Sequence, residues 1–279
     1  MGGLNEALEQ IRSKPGLRQG SGKQAKAWGY NGVFNILTSV SFPLILLITW
    51  QIISVLNIFP PMLVPSLKSV AENLAEQLKT GLLFSDLSVS LVRVMKGYFF
   101  GGLFGLTFGI LMGISSFANR FFSGIFDGIR QIPGLAWLPL IILWFGIGDT
   151  SKVVLIAKGT FFPVLLNTID GIRNTDKGYL EVARLYGIKR LELIRKVYFP
   201  SAVPFVFVGL RLGAGMAWMS VVGAEMLASS SGLGYRISNA QQLMRSNELI
   251  VDMLVVGVIG WLVDLILRKI TRRALKWKK

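Results

Sequence analysis

Six long, nearly uncharged apolar segments dominate the chain, at residues 36–58, 91–114, 125–145, 153–169, 202–222 and 250–267. Each approaches the ~20 residues that carry a helix across the hydrocarbon core of a bilayer. Lipid offers a spanning backbone no hydrogen-bond partners, so runs of this length predict helices. A hydrophobic fraction of 52% with only 16% charged residues agrees, and the expected fold class is an all-α, multi-pass membrane protein. Pro133 and Pro139 interrupt the third segment, and Asp127 and Arg130 lie in its first half. That pattern predicts a broken helix buried among its neighbours.

Charge placement sets an orientation. Arg12, Lys14, Arg18, Lys23 and Lys26 precede the first segment; Arg268, Lys269, Arg272, Arg273, Lys276, Lys278 and Lys279 follow the last. The positive-inside rule puts both ends in the cytoplasm, which needs an even number of spans. Cytoplasmic loops then fall at 120–130 and 173–196, and the outer loops are poor in cations. The 30 Lys+Arg against 15 Asp+Glu therefore face anionic membrane lipids, and nucleic acid is not an expected partner. Three regions follow: an arm at 1–33, a six-span domain at 34–270 with a charged loop at 173–200, and a basic tail at 271–279. A cleaved targeting peptide is not expected, because the first apolar run begins after more than thirty mostly polar residues and ends without a small-x-small site.

The chain has no histidine and no cysteine, which excludes disulfides, thiolate chemistry, histidine metal sites and imidazole proton relays. No catalytic residue, metal ligand or cofactor is expected, and no convergent Ser-Lys or carboxylate pair suggests a membrane enzyme. Gly20-Ser21-Gly22-Lys23 has the look of a phosphate loop but fails: Leu17 stands where the first glycine belongs and Gln24 replaces the Ser/Thr. Leu4, Leu8 and Ile11 share a helical face, so the arm is either a short interfacial or partner-bound helix or frayed.

Inside the apolar segments, Gly97, Gly101, Gly105, Gly109 and Gly113 recur at every fourth residue and bare one helix face for close backbone approach. That face serves either tight packing or a helix that slides on its neighbour. Lys158, Arg211, Glu225, Asp252 and Asp264 lie at or near membrane depth, where charges normally face a bundle interior or wet cavity. Asp264 and Arg268, at i and i+4, are expected to pair at the surface. Lys158 sits about 10 Å below the outer surface by helical rise. It either attracts an anion or neutralises Glu225 or Asp252.

The most specific pattern lies in the charged loop: Glu181-Val182-Ala183, three residues, Gly187, nine residues, then Val197-Tyr198-Phe199-Pro200. Ala183 and Gly187 leave a bare helix face able to enter a partner's groove, Glu181 offers an anchor for a basic group, and Pro200 is expected to stop the helix at the bilayer edge. This stretch resembles the E-A-A-x3-G-x9-I-x-L-P loop of binding-protein-dependent ABC importer permeases. Val182, Val197 and Phe199 are apolar departures from it. Pro133-Gly134-Leu135-Ala136-Trp137-Leu138-Pro139-Leu140 and Gly209-Leu210-Arg211-Leu212-Gly213 are similar to segments of nitrate, sulfonate and taurine permeases. Ser231-Gly232-Leu233-Gly234-Tyr235 is most like aliphatic-sulfonate permeases.

The resemblance implies the six-transmembrane-helix type I ABC importer permease (MetI-like) fold in the inner (plasma) membrane. It also implies a homodimer, cytoplasmic ABC ATPase subunits that bind ATP, and an extracytoplasmic solute-binding protein. Glu181, Ala183, Arg184, Gly187 and Pro200 would couple to the ATPases, and Lys158, Arg211, Trp137, Trp218 and Glu225 would line the path of a small oxyanion. The expected cargo is a sulfonate or taurine, with nitrate or bicarbonate as the alternative. A secondary transporter driven by an ion gradient is the rival class, and it would need no docking helix.

Overall fold

The computed structural model describes residues 28–276, and for residues 28–37, 39, 184 and 190 the backbone alone. The arm's phosphate-loop-like segment, its apolar stripe and residues 277–279 lie outside the described residues. All regular structure among those described is helical, as the apolar pattern predicts. The chain divides between Ser66 and Leu67 into two compact units.

The first unit holds helix α1 (Trp28–Val55), with Pro43 inside it. Asn57 adopts a left-handed φ of 49° beyond its end. The indole N–H of Trp50 donates to the Pro65 carbonyl at 3.0 Å, tying the following segment to the helix. Phe42, Ile45 and Ile48 are exposed, as suits a helix in lipid.

The second unit runs through α2 (Leu67–Thr80), α3 (Leu82–Ile114), α4 (Ser116–Gln131), a 3₁₀ turn (Gly134–Trp137) and α5 (Leu138–Phe145). It continues with α6 (Asp149–Arg173), α7 (Lys177–Leu185), α8 (Arg190–Leu193), a π-helical turn (Ile194–Tyr198), α9 (Phe199–Ala228), α10 (Leu233–Gln242) and α11 (Ser246–Ala274). Among the described residues, four helical runs are long and apolar enough to cross a membrane: α3, α6, residues 191–228 and α11. A fifth joins α4 to residues 134–145 through a 98° bend, and α1 adds the shorter apolar stretch Val40–Val55.

The third segment is broken, as its prolines predict, and it is buried on one side only: Leu138 and Ile141 lie in the core, while Ile125, Leu143 and Trp144 face outward. Residues 120–130, expected as a loop, lie within α4. That helix is amphipathic: Phe122, Phe126 and Ile129 pack toward Phe108, Phe161 and Phe162, while Asp127 and Arg130 pair at 3.2 Å on the other face. Ser115 ends α3 and caps α4, its hydroxyl accepting from the Ala118 N–H at 3.2 Å.

Helix α6 is the centre of the unit. Its Ile156, Thr160, Val164 and Thr168 are fully buried, one per turn. They meet Gly97, Gly101, Gly105 and Gly109 of α3 so closely that a Cβ on any of these glycines would overlap or crowd its neighbour. Gly209 and Gly213 of α9 approach α6 in the same manner, at Pro163, Asn167 and Thr160. The Thr160 and Thr168 hydroxyls turn back to the Ile156 and Val164 carbonyls at 3.1 and 2.7 Å, leaving methyl groups for the seam. Glycine thus serves dispersion contact between backbones on both sides of one helix.

Candidate functional site

Between α6 and α9 the chain forms a compact knuckle. Asp176 opens α7, its Oδ1 accepting from the Gly178 N–H at 2.8 Å. The helix closes on Gly187, which takes a left-handed φ of 61°. The Ile188 N–H then returns to the Ala183 carbonyl at 3.1 Å, a six-to-one closure that glycine permits at low cost. Gly187 is therefore a helix stop, not half of a bare docking face. Ala183 is also turned the other way from expectation: it is 3% exposed, packed inside its own chain. The outward surface carries large apolar side chains instead, with Leu185 85%, Tyr186 81% and Leu191 78% exposed, among exposed Lys177, Lys189 and Glu192. Glu181 is exposed beside them, and the Arg184 side chain lies outside the described residues.

Pro200 does not stop a helix. It lies in the first turn of α9, and residues 191–228 form one helical run. Proline cannot donate to the carbonyl four residues back and its ring crowds that carbonyl. The wide π turn at 194–198 lies just there and relieves the conflict.

The break between α4 and α5 meets α6. Lys158 Nζ donates to the Ile132 carbonyl at 3.3 Å. It lies 5.4 Å from the centroid of Trp137 and 5.8 Å from that of Phe162. The Trp137 Nε1 is buried without an acceptor among the described residues.

Residues 105–276 match the family model of binding-protein-dependent transport system inner membrane components. The chain belongs to that family. A relative from Bacillus subtilis named as the aliphatic sulfonates transport permease SsuC is 35% identical over 97% of this chain and 93% of its own. The Escherichia coli taurine transport system permease TauC is 31% identical over 87% and 90%. The nitrate import permease NrtB of Leptolyngbya laminosa is 33% identical over 68% of each chain. Among solved structures, an inward-facing MetNI methionine ABC transporter superposes with a TM-score of 0.62 at 19% identity, covering 71% of this chain and 98% of that one. At that identity the likeness speaks for the fold alone, and the fold is that of the MetI-like importer permeases.

The permease carries a second polar centre that sequence reasoning missed. Arg93 on α3 donates to Asp149 at the start of α6 at 2.8 Å and to the fully buried Glu225 of α9 at 2.8 Å. It also reaches the Ser231 carbonyl at 2.9 Å. The Ser90 hydroxyl donates to Glu225 at 2.8 Å. Three consecutive N–H groups at the head of α10 complete the cluster: Gly232 to Asp86 at 2.8 Å, Leu233 to Ser90 at 3.0 Å and Gly234 to Glu225 at 3.0 Å. Gly232 has φ 101°, and a Cβ at 232 or 234 would collide with Glu225 or the Val222 carbonyl. The signal in the sequence was Arg93 itself, a cation inside an apolar run.

Of the five expected path residues, the fold brings together Lys158 and Trp137. Glu225 is held by Arg93, and Asp252 by Arg236 at 3.0 Å, so neither neutralises Lys158. Arg211 pairs with Asp264 at 2.6 Å, joining the expected Asp264–Arg268 pair at 2.7 Å. Trp218 is buried between α9 and α11 and donates to the Val256 carbonyl at 3.2 Å.

Proposed function

We infer that the permease forms the membrane path of an ATP-driven importer for a small oxyanion of the sulfonate or taurine class. The single observation that carries this reading is the near full-length match to the aliphatic sulfonates permease. The taurine permease relative supports the same class, and the nitrate relative supports nitrate as the alternative cargo. Two copies enclose the path, with six spans each and both termini in the cytoplasm, where the basic flanks favour anionic lipid.

Cytoplasmic ATPase subunits bind ATP and grip the knuckle at 177–198. Its exposed Leu185, Tyr186 and Leu191 would fill an apolar groove on such a partner, while the Gly187 stop and the π turn hold it in a fixed attitude to α9. Closure of the ATPase pair would then rock α9 as a rigid body and alternate access to the path. An external binding protein delivers the cargo.

Sealed vesicles holding the permease with its ATPase and binding protein test this reading. Taurine or alkanesulfonate uptake is expected to require internal ATP and both partners. Uptake by the permease alone, driven by an ion gradient, would overturn it.

A further inference from the structure

Lys158 differs from the arginines of the bundle. Arg93, Arg211 and Arg236 each touch at least one carboxylate. Lys152 is buried beside the Gly148 carbonyl, within the field of Asp149 and Glu225. Lys158 forms no ion pair among the described residues, and what surrounds its ammonium is one carbonyl and two aromatic rings. Ring faces and a carbonyl stabilise a cation without cancelling its charge. An ammonium has three donors, and one contact accounts for one of them.

The second unusual group is the neighbour. An indole N–H shut away from solvent without an acceptor forfeits the hydrogen bond it would make in water. Trp137 ends the 3₁₀ turn at the Pro133 break, and this places its ring against Lys158. Leu135 of the same turn packs on Gly223 of α9, and Leu138 and Ile141 pack on Leu155 and Ala224. The break is thus fastened to both α6 and α9, the helix that continues from the knuckle.

We propose that the Lys158 ammonium and the Trp137 indole N–H form a two-donor anion subsite at the bend between α4 and α5, taking one oxyanion head group such as a sulfonate. This rests on the importer reading and names where the cargo is held. Each donor reaches an acceptor oxygen at about 2.8 Å. Lys158 Nζ lies 5.4 Å from the centroid of the Trp137 ring, so the two groups are near enough to address one small anion. One unneutralised cation in a low-dielectric wall attracts the anion, and the lack of a second cation touching the same point permits release.

The test is equilibrium binding of ³⁵S-taurine and ³⁵S-methanesulfonate to the complete permease–ATPase complex in nanodiscs, without the binding protein. Lys158→Met should weaken binding by roughly tenfold to a hundredfold, the loss of one charge-assisted hydrogen bond. Lys158→Arg should stay within about threefold of the parent, and Trp137→Phe, which keeps a ring and deletes the N–H, should lose roughly three- to tenfold. Parent-like binding by either Lys158→Met or Trp137→Phe overturns the subsite. If Lys158→Met fails to assemble, Trp137→Phe alone decides. A parent complex that takes up none of the tested anions with ATP would defeat the importer reading instead, a result separable from parent-like variants of a working importer.

Discussion

The α3–α6–α9 seam and the knuckle at 177–198 dispose of their apolar side chains in opposite ways. Along the seam, glycines from two helices close on α6 until backbone touches side chain, and the residues facing them are wholly buried. In the knuckle, the small residue Ala183 is inside and the large ones, Leu185, Tyr186 and Leu191, are outside. A chain stabilising itself would do the reverse. The difference separates what holds the subunit together from what it offers to another protein.

That contrast breaks first at the polar end of the seam. Arg93→Met leaves the buried Glu225 without its cation, and stranding one member of a buried pair costs about 3–5 kcal/mol. We expect a large fall in the thermal stability of the purified permease, with most of it recovered in the Arg93→Met, Glu225→Leu double variant. A single variant as stable as the parent would mean that the Ser90 and Gly234 donors alone satisfy Glu225. Next comes the glycine column. Gly101→Ala puts a methyl into the Ala157 carbonyl oxygen and 2.7 Å from Thr160 Cβ. Overpacking of this kind costs about 1–3 kcal/mol. An unfolding curve matching the parent would favour the other reading of the column, a face on which α3 slides cheaply.

The helical segments were legible in the sequence because their apolar runs are long and lipid leaves them no other backbone solution. The break at Pro133 was legible for a local reason, the missing donor. What escaped depends on facing partners. Residues 120–130 looked like a loop because Arg120, Asp127 and Arg130 are charged, yet Phe122 and Phe126 on the opposite face carry them into a helix against α3 and α6. Ala183 and Gly187 read as one bare face, but spacing alone cannot say which side is inward or that Gly187 has left the helix with φ 61°. Pro200 reads as a stop because a mid-helix proline breaks α geometry, and a π turn before it is invisible to a 3.6-residue pattern. Lys158 and Trp137 were both candidates, while their meeting required the bend.

The smallest effect on stability should come with a large effect on transport, and this pairing is what the comparison most directly demands. Leu185→Ser and Tyr186→Ser alter side chains that touch almost nothing in the subunit. Substitutions at such surface positions usually fall within about 0.5 kcal/mol, so the isolated permease should unfold as the parent does. If the ATPase grips this apolar tip, the same pair should lower ATP-driven uptake and weaken co-purification of the ATPase, because an interface draws most of its energy from a few buried apolar and aromatic anchors. A double variant that unfolds early would place these residues in the fold after all. One that unfolds normally and transports normally would move the partner's grip off the tip, to the exposed Glu181 side of α7.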